Sequence, residues 1–468
     1  MTKYIFDVTD LRVFLTRTPA LSGIQRVVVM AVARAQGRLG KDAVWLGYYD
    51  KRRARYMVVL PDPAMDLEQP EHLRAVLNVG LNPKALPAMA RYAKRKTRRQ
   101  LKTWLLDLAA RAAFSEPFKP LQMTPEEWLK LRRPGHNLKA LAVAPAPIEE
   151  VSKPGDQLLL LDNIQKQAGL LSALPKLKAH GLTITVLIHD LIALVAPQFS
   201  EGETPRRTYS WLQASLAYTT RYIANSRQTA RDLQAFLDAH GGKQPVHVVP
   251  LAQARLSLPV AAGSFLSDEA AALYPRLAAG LSVRDRIRGL AKMDFVLVVG
   301  TFEVRKNLWG LARAWDRLRQ DADLALPKLV VAGRRGWLND DFDALMAGTG
   351  NLGGWVEIVE GPTDGELDWL YRHCLFTAMV SYYEGWGLPI GESLGYGKTA
   401  IVSRSASMPE VGGDMVQYCD PYDVDSISDA CRRLIADPSY RHDLETRIQN
   451  AELRNWDDVA SDFIDAVR

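Results

Sequence analysis

Cysteine is scarce in this chain: three in 468 residues, Cys374, Cys419 and Cys431. They form no C-x-x-C pair and stand at no metal-ligand spacing from the eight histidines, so neither a disulfide framework nor a zinc knuckle is readable and no metal site is expected. Long apolar runs are lacking too. The strongest, over 186–197, is interrupted by His189 and Asp190 and falls short of the ~20 residues that a spanning helix needs. The N-terminal Met1-Thr2-Lys3-Tyr4-Ile5-Phe6-Asp7 meets an acid before any apolar core of a secretory signal can form, so a cytoplasmic protein is expected. What is present describes a large folded chain. The length is about three times the usual ~150-residue domain, and 47% hydrophobic with 24% charged residues is ordinary globular usage. A net charge of +6 favours an anionic partner without naming its kind.

Short β-branched runs alternate with helix-length amphipathic stretches, the pattern of parallel sheets built from βαβ units. Strands are expected at 4–8, 43–48, 157–161, 183–188, 222–224 and 246–249, then at 295–299, 328–332, 356–359, 375–380, 399–402 and 416–419. Between the two series, 251–288 is rich in Ala, Ser, Gly and Pro and reads as a linker, which puts a domain boundary near 255–290. One stretch breaks the pattern: Arg91, Lys94, Arg95, Lys96, Arg98, Arg99 and Lys102 come without an acid and run into Trp104-Leu105-Leu106. Such a segment suits an anionic bilayer surface or a solvated insertion helix; no aromatic or glycine pattern of a nucleic-acid module accompanies it, so nucleic acid is not expected as a partner.

Two constellations carry chemistry. Val298-Val299-Gly300-Thr301 followed by Arg305-Lys306-Asn307-Leu308 reads as a strand, a glycine turn and two cations at the start of a helix, an arrangement suited to a diphosphate. Gly300 does not open a G-x-G-x-x-G fingerprint, which disfavours a dinucleotide at this turn. Ser381-Tyr382-Tyr383-Glu384-Gly385-Trp386-Gly387-Leu388-Pro389-Ile390-Gly391-Glu392 follows a buried strand, with Pro389 fitting the first turn of a helix. Glu384 falls in the loop and Glu392 one turn into the helix, where two carboxylates could hold the hydroxyls of a sugar and a ribose; the plain alternative is a glycine turn with two solvated acids.

The passage from Glu384 to Glu392 resembles the E-x7-E element of retaining GT-B glycosyltransferases, especially glycosyltransferase family 4 of bacterial polysaccharide type. The resemblance extends to Gly300-Thr301 with Arg305-Lys306-Asn307-Leu308, to Gly333, Gly336-Trp337, Gly361 and Asp364-Gly365-Glu366-Leu367, and to Ser403 with Ser407-Met408-Pro409-Glu410-Val411-Gly412-Gly413-Asp414. It is dense over 294–456 and thinner before, where Ser22-Gly23-Ile24, His189-Asp190, Ala224-Asn225-Ser226 and Val249-Pro250 are similar to the family's turns. Many members carry an arginine directly after the glycine matched by Gly300; here Thr301 stands there, leaving that charge to Arg305.

The resemblance implies a GT-B fold of class α/β, two Rossmann-like domains whose parallel sheets face a central cleft. Residues 1–270 would form an acceptor-binding domain with a basic insertion at about 84–135, residues 271–450 a nucleotide-sugar-binding domain, and 451–468 a helix packing back toward the first. The implied reaction moves a hexose, mannose by resemblance, from a GDP-, UDP- or dTDP-sugar to a glycan or lipid-linked acceptor with retention and without metal or resident cofactor. In this reading Arg305 and Lys306 take the diphosphate, Glu384 and His189 act at the donor sugar, Glu392 binds the ribose, and Gly23, Gly385, Trp386, Gly387 and Leu388 complete the donor site. The protein would work in the cytoplasm, on the cytoplasmic face of the inner membrane if the basic stretch binds lipid. Two other classes compete. An NAD(P)-dependent oxidoreductase could use Gly385-x-Gly387 with Gly391, but that loop follows the fourth strand of its domain instead of the first. A catalytically inactive membrane-surface scaffold would have no use for the two glutamates and the Arg-Lys pair.

Overall fold

The computed structural model describes residues 2–17, 21, 23–80, 82, 96–121, 124–132, 139–255 and 283–468. Arg91, Lys94 and Arg95 of the basic stretch, Ser22 of the first turn and 256–282 of the expected linker lie outside the described residues. The chain divides into two compact units, Met1–Leu187 with Ala214–Ile223 and Ala460–Arg468, and Ile188–Gln213 with Ala224–Val459.

Fourteen strands are described, in two sheets. The first contains β1 (Tyr4–Asp7), β2 (Val44–Asp50), β3 (Arg55–Pro61), β4 (Leu141–Pro147), β5 (Gln157–Leu160), β6 (Thr183–Ile188), β7 (Arg221–Ala224) and β8 (Val246–Val248), in the order β4-β3-β2-β1-β5-β6-β7-β8. β1 is buried at all four positions and pairs in parallel with β2 and β5, as a central strand covered on both faces must. The sheet is not purely parallel, contrary to the expectation. β3 pairs antiparallel with β2 and with β4, and neither β3 nor β4 is among the expected strands. β4 holds two prolines and is mostly exposed, the composition an edge strand tolerates and a pattern search passes over.

The second sheet contains β9 (Phe295–Val299), β10 (Lys328–Gly333), β11 (Val356–Glu360), β12 (Thr377–Met379), β13 (Ala400–Ser403) and β14 (Gln417–Cys419). Every described pairing in it is parallel, in the order β11-β10-β9-β12-β13-β14. Alternation along the strands feeds two cores. Val296, Val298, Leu329 and Val331 face one side, with the fully buried Trp315 of the helix Leu308–Leu318; Phe295, Leu297, Val330 and Ala332 face the other, with Leu370 and Tyr371. All three cysteines are buried, and burial pushes each thiol well above its ordinary range, so they serve as small apolar side chains.

The strand order reverses between β9 and β12, since the chain leaves β9 toward β10 and β11 and returns to β12 on the opposite side. In open parallel sheets that reversal opens a crevice at the carboxyl ends of the two strands, where ligands bind. Gly300 directly follows β9, and the loop with Glu384 follows β12. No helix among the described residues is long and apolar enough to cross a membrane.

Candidate active site at the reversal of the second sheet

After β9 the backbone turns at Gly300, whose φ of +153° is one that side chains with a Cβ rarely adopt. A single 3-10 turn, Val304–Lys306, follows, and only then the helix Leu308–Leu318. The two cations therefore stand on the turn before the helix, not at its start. Asn307 sits between, its side chain accepting from the Gly310 amide at 3.1 Å and donating to the Pro421 carbonyl at 2.8 Å. One amide that the sequence reading left open for an anion is thus already capped.

The loop after β12 approaches the HD turn after β6. A Cβ placed on Gly385 would lie 2.0 Å from the His189 carbonyl oxygen, so only glycine fits there. Gly387, at φ +104°, then starts the helix Leu388–Gly395 with Pro389 in its first turn. Because the Gly385 backbone is closed against His189, it is not the open phosphate cradle that a dinucleotide loop requires.

Side chains from both loops meet in one buried charge cluster. Arg305 Nη1 lies 2.6 Å from Glu384 Oε2, and Lys306 Nζ donates to Glu384 Oε1 at 2.7 Å, so each carboxylate oxygen holds one cation. Arg305 also donates to the Tyr383 carbonyl at 2.6 Å and to Glu303, an acid the sequence reading did not single out. Burial by itself would raise the Glu384 carboxyl; the charges of Arg305 and Lys306 and their hydrogen bonds outweigh it and hold the group at about 2. Glu303 moves the other way, its burial outweighing Arg305 and Lys306 and pushing it up. For Arg305 burial is overcome by the charges of Glu384 and Glu303, with a further contribution from Asp190, so the guanidinium stays charged. Glu303 Oε2 and Trp386 Nε1 are buried without a hydrogen-bond partner among the described residues.

Five consecutive carbonyls of the loop are held by side chains. Ser405 Oγ donates to Tyr382 O at 2.7 Å, Arg305 to Tyr383 O, and Ser407 Oγ to Glu384 O at 2.8 Å; Thr229 Oγ1 donates to Gly385 O at 3.3 Å, and Ser407 Oγ also lies 3.1 Å from Trp386 O. Glu410, from the same stretch as Ser407, accepts the Arg227 and Gln228 amides at 2.8 and 2.9 Å, which fixes the start of the helix Arg227–His240 that carries Thr229. Apart from Arg305, the groups that hold the loop gave one signal in the sequence, the S…PE stretch with Ser407 and Glu410.

Glu392 is buried on the helix Leu388–Gly395 and accepts from Tyr371 Oη at 2.7 Å; Tyr371 stacks on Tyr396 with ring centroids 5.0 Å apart. Neither Glu384 nor Glu392 is a solvated acid, which removes the plain alternative. Trp386 is buried, and Leu388 opens the helix. Of the residues singled out from sequence, Arg305, Lys306, Glu384, Gly385 and His189 converge here. Gly23 opens the helix Gly23–Leu39 in the other unit.

Residues 285–451 match the family described as Glycosyl transferases group 1. The O-antigen chain mannosyltransferase B of Escherichia coli is 33% identical over 180 residues, 38% of this chain and 47% of that protein. The MMP alpha-(1->4)-mannosyltransferase of Mycolicibacterium hassiacum is 28% identical over 187 residues, 39% of this chain and 42% of that protein. The chain thus spans less than half the length of these relatives. Among solved structures, Alr3699/HepE of Anabaena in complex with UDP-glucose aligns with a TM-score of 0.55, covering 100% of this chain and 99% of that one at 13% identity, a likeness of fold alone. The two α/β units have a GT-B fold, and residues 285–451 are similar to the glycosyl transferases group 1.

Proposed function

We propose that the protein transfers a hexose, mannose in the first instance, from a nucleoside-diphosphate sugar to a glycan or lipid-linked glycan acceptor in polysaccharide biosynthesis, with retention at the anomeric carbon. The observation that carries this reading is the Glu303–Arg305–Glu384–Lys306 cluster at the reversal of the second sheet. In the transfer the bond between the anomeric carbon and the β-phosphate oxygen breaks, its electron pair leaves with the nucleoside diphosphate, and the acceptor oxygen bonds to carbon as its proton passes to the departing phosphate oxygen. Negative charge grows on the β-phosphate, and two cations already fixed in place stabilise it with little reorganisation. Glu384 keeps both cations aimed and faces the sugar, with His189 beside it; Glu392, oriented by Tyr371, takes the ribose hydroxyls. Gly23, Gly385, Trp386, Gly387 and Leu388 complete the donor site in this account. Mannose is favoured because the relatives named above are mannosyltransferases, and GDP, UDP and dTDP remain the nucleotides to distinguish. The same reading puts the reaction in the cytoplasm, at a membrane face where the acceptor is lipid-linked. A donor panel of GDP-mannose, UDP-glucose and dTDP-sugars, followed by nucleoside diphosphate release and the anomeric configuration of the product, tests it. Release from a mannosyl donor with an axial product supports the reading; an inverted product, or no release from any of them, sinks it.

A further inference from the structure

The helix Lys96–Arg111 has two apolar stripes where a helix on a domain surface needs one. Its inner stripe, with Leu106 and Ala110, packs on Phe118 and Trp128 in a small satellite core. The second stripe, Leu101, Trp104, Leu105 and Leu108, recurs at i, i+3, i+4 and i+7 and faces solvent; these residues and the nearby Phe114 are 48–60% exposed. Lys102, Leu105, Leu108, Ala109, Phe114 and Pro117 line a groove that widens the same surface. Scattered exposed leucines need no explanation, but a contiguous stripe of this kind marks an interaction site.

Charge identifies the occupant. The helix carries Lys96, Arg98, Arg99, Lys102 and Arg111 against one acid, Asp107. That acid is turned inward, accepting from Trp128 Nε1 at 2.7 Å and pairing with Arg132 at 3.2 Å, so the helix presents no free carboxylate beside its apolar stripe. Arg91, Lys94 and Arg95 precede it in the sequence. A second copy of this chain would bring like charges face to face, and nucleic acid would leave the leucine stripe in water. An anionic bilayer meets both features, headgroups taking the cations and the acyl boundary taking Trp104 and the leucines.

We propose that the helix Lys96–Arg111 docks in the plane of an anionic membrane, with Leu101, Trp104, Leu105 and Leu108 entering the interface. The test is flotation of the full chain with phosphatidylcholine vesicles, with and without phosphatidylglycerol, using a Trp104→Ser, Leu105→Ser, Leu108→Ser variant and an Arg98→Gln, Lys102→Gln variant. The wild type is expected to float with anionic vesicles at low salt and not with neutral ones, and each variant to lose about tenfold in partitioning while its circular dichroism and thermal midpoint hold. Three outcomes overturn the proposal: a wild type that does not float, an apolar variant that floats like the wild type, or a wild type that sediments as a dimer which the apolar variant dissolves.

Discussion

Glu384 binds two cations 78 and 79 residues earlier in the chain, and its chemistry cannot be separated from theirs. Replacing Arg305 by alanine leaves Glu303 and Glu384 buried with less compensating charge, so Arg305→Ala is expected to lower stability by about 3 kcal/mol besides lowering turnover, a loss that chemical denaturation would read. Glu392 is different: Tyr371 donates to its carboxylate, and in the proposed account that carboxylate binds the ribose hydroxyls in ground and transition states alike. Tyr371→Phe keeps the stack on Tyr396 and removes that hydrogen bond. It should weaken donor affinity severalfold with turnover at saturation nearly unchanged, and Glu392→Ala should weaken it further; calorimetry showing wild-type affinity in both would remove Glu392 from the donor site. The residue types of this site were legible because glycines, cations and acids stand close together in two short segments. Their pairing was not, because an ion pair across nearly eighty residues leaves no local spacing to read.

The loop after β12 is held in place because its carbonyls are taken by Ser405, Arg305, Ser407 and Thr229, groups drawn from three other segments. Ser407 matters most, as its hydroxyl serves the carbonyls of both Glu384 and Trp386. Ser407→Ala would leave them without that donor and let the Glu384 carboxylate drift. A fall in turnover of about tenfold with a stability loss near 1 kcal/mol is expected; unchanged turnover would mean that the tether does not position Glu384. At this scale the sequence was a good guide to strands buried on both faces and a poor one elsewhere. Twelve expected strands correspond to described ones, with ends shifted by up to two residues, because continuous β-branched runs bounded by turn residues have few other uses. β3 and β4 escaped because they extend the sheet antiparallel, and β4, at an edge and rich in alanine and proline, shows no apolar run.

Taken whole, the molecule holds buried acids of opposite behaviour in its two units. In the first, Asp7 at the end of β1 is pushed by burial to about 6, against hydrogen bonds from Tyr56 and Thr9, and Asp162 just beyond β5 is pushed by burial and by Asp10 to about 7. Both are raised, so their contribution to stability is full below about pH 4, where the unfolded chain also keeps its proton, and is lost as the pH rises through 6 to 7. Glu384 in the second unit is depressed, so its contribution is present above about pH 4.5 and is lost as the pH falls toward 2, offset in part by Glu303. Thermal midpoints should therefore fall for the first unit between pH 4 and 7, and Asp7→Asn should flatten that slope; an unaltered slope would show that Asp7 ionises freely in the fold. The sheet order β11-β10-β9-β12-β13-β14, with its reversal between the loops of Gly300 and Glu384, is the feature through which fold and chemistry meet. The measurement that tests this most directly is turnover of Lys306→Ala with the best donor. With Lys306 removed, Arg305 still pairs with Glu384, so the fold should persist while the leaving group loses one fixed cation. The account predicts a drop of about a hundredfold, or ~3 kcal/mol, in kcat in a protein that keeps a cooperative unfolding transition; wild-type turnover in a folded Lys306→Ala protein would contradict it.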